Sequence, residues 1–122
     1  MLRKTIQRDA IRKALVHAAR PLTTQEILET AQEEVPQIGI ATVYRTVKTL
    51  AEEGSIRTVV VPGEPDRYEV SGKAHHHHFS CRVCGRMFEM DGCPVGLENL
   101  VPKGFLMEDH EVFIYGRCDE CN

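Results

Sequence analysis

Two Cys-x-x-Cys pairs constrain this chain more than any other feature: Cys81-Arg82-Val83-Cys84 and Cys118-Asp119-Glu120-Cys121. A two-residue gap turns both sulfurs of a pair toward one point, and four thiolates suit one tetrahedral zinc ion. Gly85, directly after the first pair, can take the left-handed backbone angles such a knuckle often needs. The 33 residues between the pairs exceed a minimal zinc ribbon, so the site is expected to clasp a whole subdomain by closing the C-terminus onto its first strand. A disulfide or redox pair is the alternative, and a reducing cytosol disfavours it.

Four consecutive histidines, His75 to His78, lead into the first knuckle. Alternation along a strand sends His76 and His78 to one face and His75 and His77 to the other, which would supply two separate ligand pairs. A solvated polar loop is the competing reading.

With 122 residues, 42% hydrophobic and 27% charged, the chain fits one soluble domain or two very small ones. It holds no Trp, so its core is expected to be aliphatic. No apolar run is long enough to span a membrane. Met1-Leu2-Arg3-Lys4 leads into an amphipathic pattern rather than an apolar signal core, and the expected location is the cytoplasm. So small a chain buries little surface, and a structural metal and a partner subunit are the expected supplements. The net charge of −3 alone argues against nucleic-acid binding, but its distribution does not. Arg3, Lys4, Arg8, Arg12, Lys13 and Arg20 stand against Asp9 alone in the first twenty residues, whereas residues 71–122 hold five basic and eight acidic side chains. A basic head can bind phosphate locally, and an acidic body attracts divalent cations.

Residues Thr5 to Ala19 carry apolar positions at Ile6, Ala10, Ile11, Ala14, Leu15 and Ala18, a helical period with Thr5 as cap. Arg20-Pro21 ends it. Thr23 with Glu26 three residues on reads as a capping box opening a second helix to about Glu34, with Ile27, Leu28 and Ala31 inward. A third helix is expected over Gly39–Gly54, with Ile40, Val43, Val47, Leu50 and Ala51 as its buried stripe and Thr42, Tyr44, Arg45, Lys48 and Thr49 outside it. Strands follow at Ile56–Val61 and Arg67–Val70 around a Pro/Gly turn. Three helices and a hairpin make a winged helix-turn-helix, whose third helix is the candidate for the DNA major groove. Arg can read guanine bidentately, and Thr or Tyr can contact phosphate or a thymine methyl. A packing or protein-binding module is the alternative. The overall class is therefore α+β: a winged-helix domain at 1–70, a hinge at 71–74, and a small α/β domain at 75–122. The latter should hold strands His76–Cys81, Met87–Met90, Phe105–Glu108 and Glu111–Tyr115, with a short helix over Val95–Val101.

Four landmarks together resemble the ferric uptake regulator family of bacterial metal-responsive repressors. They are Arg3-Lys4-Thr5-Ile6-Gln7-Arg8, Ala41-Thr42-Val43-Tyr44-Arg45-Thr46, the histidine run with its Cys-x-x-Cys-Gly, and Tyr115-Gly116-Arg117-Cys118-Asp119-Glu120-Cys121. The resemblance covers essentially the whole chain. It implies a homodimer that clamps double-stranded operator DNA and represses metal-homeostasis genes when a divalent metal is bound. It places structural Zn2+ on Cys81, Cys84, Cys118 and Cys121, and a regulatory Fe2+, Zn2+ or Mn2+ on Glu69, His76, His78 and Glu89, with ferrous iron and zinc foremost. A further site in some members falls on His75, His77 and His110. DNA contacts fall on Arg3, Tyr44 and Arg45, and Thr42 shares that helix face.

The chain departs from the family pattern at three places that matter, one being a short N-terminus expected to lack the extra leading helix that many members carry. Pro21 stands where the family usually has a histidine before the second helix, so coupling of the metal to the DNA-binding domain would rest on Glu69; His17, one turn earlier, reads as a surface residue. Cys93 lies outside both knuckles. It is either a soft ligand, which would tilt the regulatory metal toward zinc, or a small hydrophobe packed at a turn. Glu69 and Glu89 stand where the peroxide-sensing branch tends to carry aspartates. A zinc hydrolase and a zinc-ribbon adaptor are the competing classes, but the motifs H-E-x-x-H and H-x-E…P-C-x-x-C are absent.

Overall fold

The computed structural model describes residues 2–122, with side chains from Arg3 onward. The chain divides between Lys73 and Ala74 into two compact units.

The first unit runs α1 (Leu2–Ala18), β1 (Leu22–Thr23), α2 (Thr24–Ala31), α3 (Ile40–Glu52), β2 (Ile56–Val59) and β3 (Arg67–Val70). Ala10, Ile11, Ala14 and Leu15 of α1, Ile27 and Ala31 of α2, and Val43, Val47 and Leu50 of α3 form one aliphatic core. The helix starts and stops follow local chemistry. Thr23 Oγ1 accepts from the Glu26 amide at 3.2 Å and Glu26 Oε1 accepts from the Thr23 amide at 3.0 Å, a complete capping box. At the end of α3 the Ser55 amide donates to the Leu50 carbonyl at 2.9 Å and the Gly54 amide to the Ala51 carbonyl at 3.0 Å, the paired bonds of a Schellman ending.

Several expected boundaries move. α1 begins at Leu2, so Thr5 lies inside the helix and is not its cap. It stops at Ala18, and Ala19 at φ 52 turns the chain toward Pro21. α2 ends at Ala31 rather than near Glu34, and three turn residues follow. Ile6 and Ile40 are exposed. Both sit near helix starts, beyond the reach of the core. β2 stops at Val59 because that residue pairs with Arg67, the first residue of β3. The two-residue β1, unforeseen in the sequence, pairs antiparallel with β3, giving a sheet of order β1-β3-β2.

The second unit holds β4 (His76–Cys81), β5 (Met87–Asp91) and β6 (Phe113–Gly116) in the order β5-β4-β6. β5 is antiparallel to β4, whereas β6 is parallel, with Cys81 opposite Gly116. The expected short α-helix is a single 3-10 turn, Leu97–Leu100. Gly96 at φ 85 keeps the chain non-helical before it, and Pro102 holds Val101 extended after it. No strand forms at Phe105–Glu108. Both sides of β4 are already paired, and Phe105 and Leu106 are exposed. Buried apolar side chains in this unit, among the described residues, are only Cys81, Met87 and Cys118.

Candidate metal centres and nucleic-acid interface

β6 returns the chain alongside β4, with the Arg82 amide donating to the Gly116 carbonyl at 2.8 Å. That pairing brings the terminal knuckle to the first one. One Sγ from each of Cys81, Cys84, Cys118 and Cys121 lies within 4.8 Å of the others. Cys84 Sγ and Cys118 Sγ are 3.8 Å apart, matching the edge of about 3.8 Å that a tetrahedron with Zn–S near 2.3 Å requires. The Cys84 and Cys118 amides point at Cys81 Sγ from 3.5 and 3.4 Å and draw that thiol down to about 6. Cys121 moves the other way. Its hydrogen bond with Cys118, then burial and its other sulfur neighbours, push it up to about 12. Four crowded sulfurs resist carrying four negative charges, and a divalent cation at their centre removes that resistance. The donor set fits zinc.

Alternation along β4 separates the histidines by face. His75 and His77 ring centroids lie 4.6 Å apart, and those of His76 and His78 4.8 Å apart.

On the first face the Nε2 atoms of three imidazoles converge. His75 and His77 are 3.2 Å apart, His75 and His110 3.1 Å, and His77 and His110 3.2 Å. Cys93 Sγ completes the group, 3.3 Å from His77 Nε2. Gly92 at φ 84 makes this possible. It turns the chain sharply after β5, so that Cys93 returns to the histidines, a conformation costly for any residue with a Cβ. Cys93 is exposed, which excludes the reading of it as a packed hydrophobe. Tetrahedral zinc with Zn–N of about 2.0–2.1 Å would set its nitrogens about 3.3–3.4 Å apart, close to the spacings here. Burial first, and then the imidazoles of His75, His110, His78 and His76, hold the His77 pKa below its usual value, favouring the neutral, metal-binding form. The Val112 amide donates to His77 Nδ1 at 3.2 Å, which leaves the ring proton on Nε2. Ligation through Nε2 requires that proton to move and this hydrogen bond to give way.

On the second face His76 Nδ1 donates to the Ala74 carbonyl at 2.9 Å. That bond fixes the tautomer and leaves Nε2 as a lone-pair donor. His76 Nε2 lies 4.0 Å from Glu89 Oε1. His78 sits opposite Glu89 across the β4–β5 pair and stacks on Phe113 at 5.7 Å between centroids. Glu69 stands on β3 in the first unit, buried.

In the first unit α3 exposes Tyr44, Arg45, Lys48 and Thr49, with Thr42 half-buried. The Arg45 guanidinium donates to Thr42 Oγ1 at 3.2 Å, and Thr49 Oγ1 donates to the Arg45 carbonyl at 3.1 Å. An open cleft between α1 and α3 is lined by Lys4, Gln7, Arg8, Thr42, Arg45 and Thr46, among others. Arg8 pairs with Glu53, so among the described residues Lys4 and Arg45 are the cations facing this cleft without an ion pair. Arg3 is exposed on α1. Lys4, part of the basic head read from the sequence, and Gln7, three residues on along the same helix face, line this cleft beside Arg45.

Fold and donors together define a winged-helix protein with candidate metal sites in a sheet unit of its own. Residues 1–115 match the model of the ferric uptake regulator family, and the chain belongs to that family. It is 30% identical over 126 residues to the ferric uptake regulation protein of Campylobacter upsaliensis, covering 99% of this chain and 81% of that one. Among solved structures it is similar to the Helicobacter pylori ferric uptake regulator, described with three functional metal-binding sites, at a TM-score of 0.72 and 27% identity over 94% of this chain and 79% of that chain. It is also similar to FurB of Mycobacterium tuberculosis, a zinc uptake regulator, at a TM-score of 0.56 and 29% identity, covering 99% and 96% of the two chains. Members of the family are metal-responsive transcription regulators and not enzymes. Among the described residues, no helix is long and apolar enough to cross a membrane.

Proposed function

We propose that this chain is a zinc-responsive repressor that binds operator DNA as a homodimer. The observation that carries the reading is the fourth donor of the His75, His77, His110 cluster: it is a thiol, Cys93, 3.3 Å from His77 Nε2. Three imidazoles and one thiolate form a closed, soft, tetrahedral set that favours zinc over manganese or ferrous iron.

Zinc in the four-cysteine site is structural. The resemblance assigns a further metal set to Glu69, His76, His78 and Glu89, and the fixed His76 tautomer suits a ligand role. Metal binding shifts the population toward a DNA-competent state by its differential affinity, and operator DNA must tighten metal binding by the same factor. Arg45, Tyr44 and Thr42 face the major groove, with half-sites about one helical turn or a multiple apart; Arg3 contacts the backbone.

The test is operator affinity measured across buffered free zinc, ferrous iron and manganese, in the wild type and in Cys93→Ser. The zinc reading requires that the preference for zinc over manganese narrow in the variant. An equal preference in both proteins would remove Cys93 from the metal site and leave the metal undecided between zinc and iron.

A further inference from the structure

Cys93 differs from the other ligating cysteines in what its loss would do. In the four-cysteine site Cys81 and Cys118 are buried. Two backbone amides hold Cys81 Sγ, and such bonds lower the nucleophilicity of a thiolate. Cys84 is exposed, as Cys93 is. Exposure alone therefore does not separate them. The donor count does: a lesion at Cys84 leaves three thiolates around the ion, whereas Cys93 is the one sulfur beside His75, His77 and His110. Its loss leaves three neutral imidazoles and no anionic donor.

We infer that Cys93 is an oxidant-sensitive modification site, at which a hydroperoxide converts the sole thiolate of the His75, His77, His110 cluster to a sulfenic acid and so releases the metal held there. This rests on the zinc reading above. The thiolate sulfur attacks one peroxide oxygen, an S–O bond forms, and the O–O bond breaks. Sulfur gives up two electrons, and the leaving oxygen departs as hydroxide or alkoxide. With no second thiol in the cluster, recovery proceeds through an external low-molecular-weight thiol. That thiol condenses with the sulfenic acid to a mixed disulfide and water, and a second equivalent returns the Cys93 thiol and leaves as a small-molecule disulfide. The chain would then lose its second zinc under oxidation while its structural zinc stays in place.

The experiment uses the full chain. Zinc stoichiometry is measured first: absence of a second zinc would refute the zinc reading itself, and with it this inference. On chain carrying zinc in the four-cysteine site and in the His75, His77, His110, Cys93 cluster, hydrogen peroxide is added at low excess with a chromogenic chelator and dimedone present, followed by peptide mass spectrometry. Expected are the loss of one zinc per chain, the first dimedone adduct on the Cys93 peptide, and zinc rebinding after thiol treatment of a sample oxidised without dimedone. In Cys93→Asp, whatever second zinc binds through the carboxylate should stay bound under the same peroxide. Adducts appearing first on the Cys81–Cys84 or Cys118–Cys121 peptides, or loss of zinc from wild type with Cys93 unmodified, would overturn the proposal.

Discussion

Replacing Cys118 by Ser removes one of four sulfur donors from the unit least able to lose it. Ala74–Asn122 buries only Cys81, Met87 and Cys118 among its apolar side chains, and two of the three are themselves donors. At about 0.05–0.15 kcal/mol per residue, a unit of this length has roughly 2–7 kcal/mol of net stability. Structural zinc supplies on the order of 10 kcal/mol of binding free energy to small domains, so zinc binding and folding here are one equilibrium. A serine hydroxyl is a poor zinc ligand at neutral pH, and weakening the site by several kcal/mol consumes the whole margin. The first unit has its own core of thirteen buried side chains and should survive. Calorimetry of Cys118→Ser should show a melting transition for the first unit only, with zinc content reduced, β-sheet signal diminished to that of the first unit and the dimer dissociated. A variant with wild-type zinc content and an unchanged second transition would refute the argument that metal, rather than apolar burial, holds this unit.

Other substitutions separate the remaining roles. Arg45→Ala should weaken operator binding by about 1–3 kcal/mol if the guanidinium reads a base, whereas Arg3→Ala should weaken all DNA sequences evenly and flatten the salt dependence; unchanged binding isotherms would count against each. Thr23→Ala removes one half of the capping box and should cost about 1 kcal/mol, read as a lower melting temperature for the first unit with zinc content intact. The His76→Ala, His78→Ala double variant should purify with its four-cysteine zinc and normal melting but lose part of its metal-stimulated operator binding; a full response would exclude that face from regulation. Loading the opposite face should shift the Val112 amide resonance, because its hydrogen bond to His77 Nδ1 has to break.

Much of this could be read from the chain because its signals are local. Thr23 and Glu26 lie three residues apart, and a capping box needs nothing else. Strand alternation divides the four histidines by face whatever surrounds them. The two knuckles dictate that the C-terminus return to β4, and it does so as the parallel strand β6. The remainder depends on contacts that periodicity does not carry. Cys93 meets His77 only because Gly92 turns the chain sharply after β5, and His110 arrives from an irregular segment with no pattern. Phe105–Glu108 has strand-like composition but pairs with no strand, so composition misled. The expected helix at Val95–Val101 failed for reasons already in the sequence, Gly96 before it and Pro102 after it. β1 has two residues, too few for any period.

A thiolate-bearing site beside the histidine run is where this regulator is proposed to take its zinc. The most direct measurement is a cobalt(II) titration of protein retaining its four-cysteine zinc. One cobalt ion per chain should enter a tetrahedral site with a thiolate charge-transfer band, that band should be absent in Cys93→Ser, and zinc should abolish it stoichiometrically. Cobalt binding without a thiolate band, or an identical spectrum in Cys93→Ser, would contradict the account.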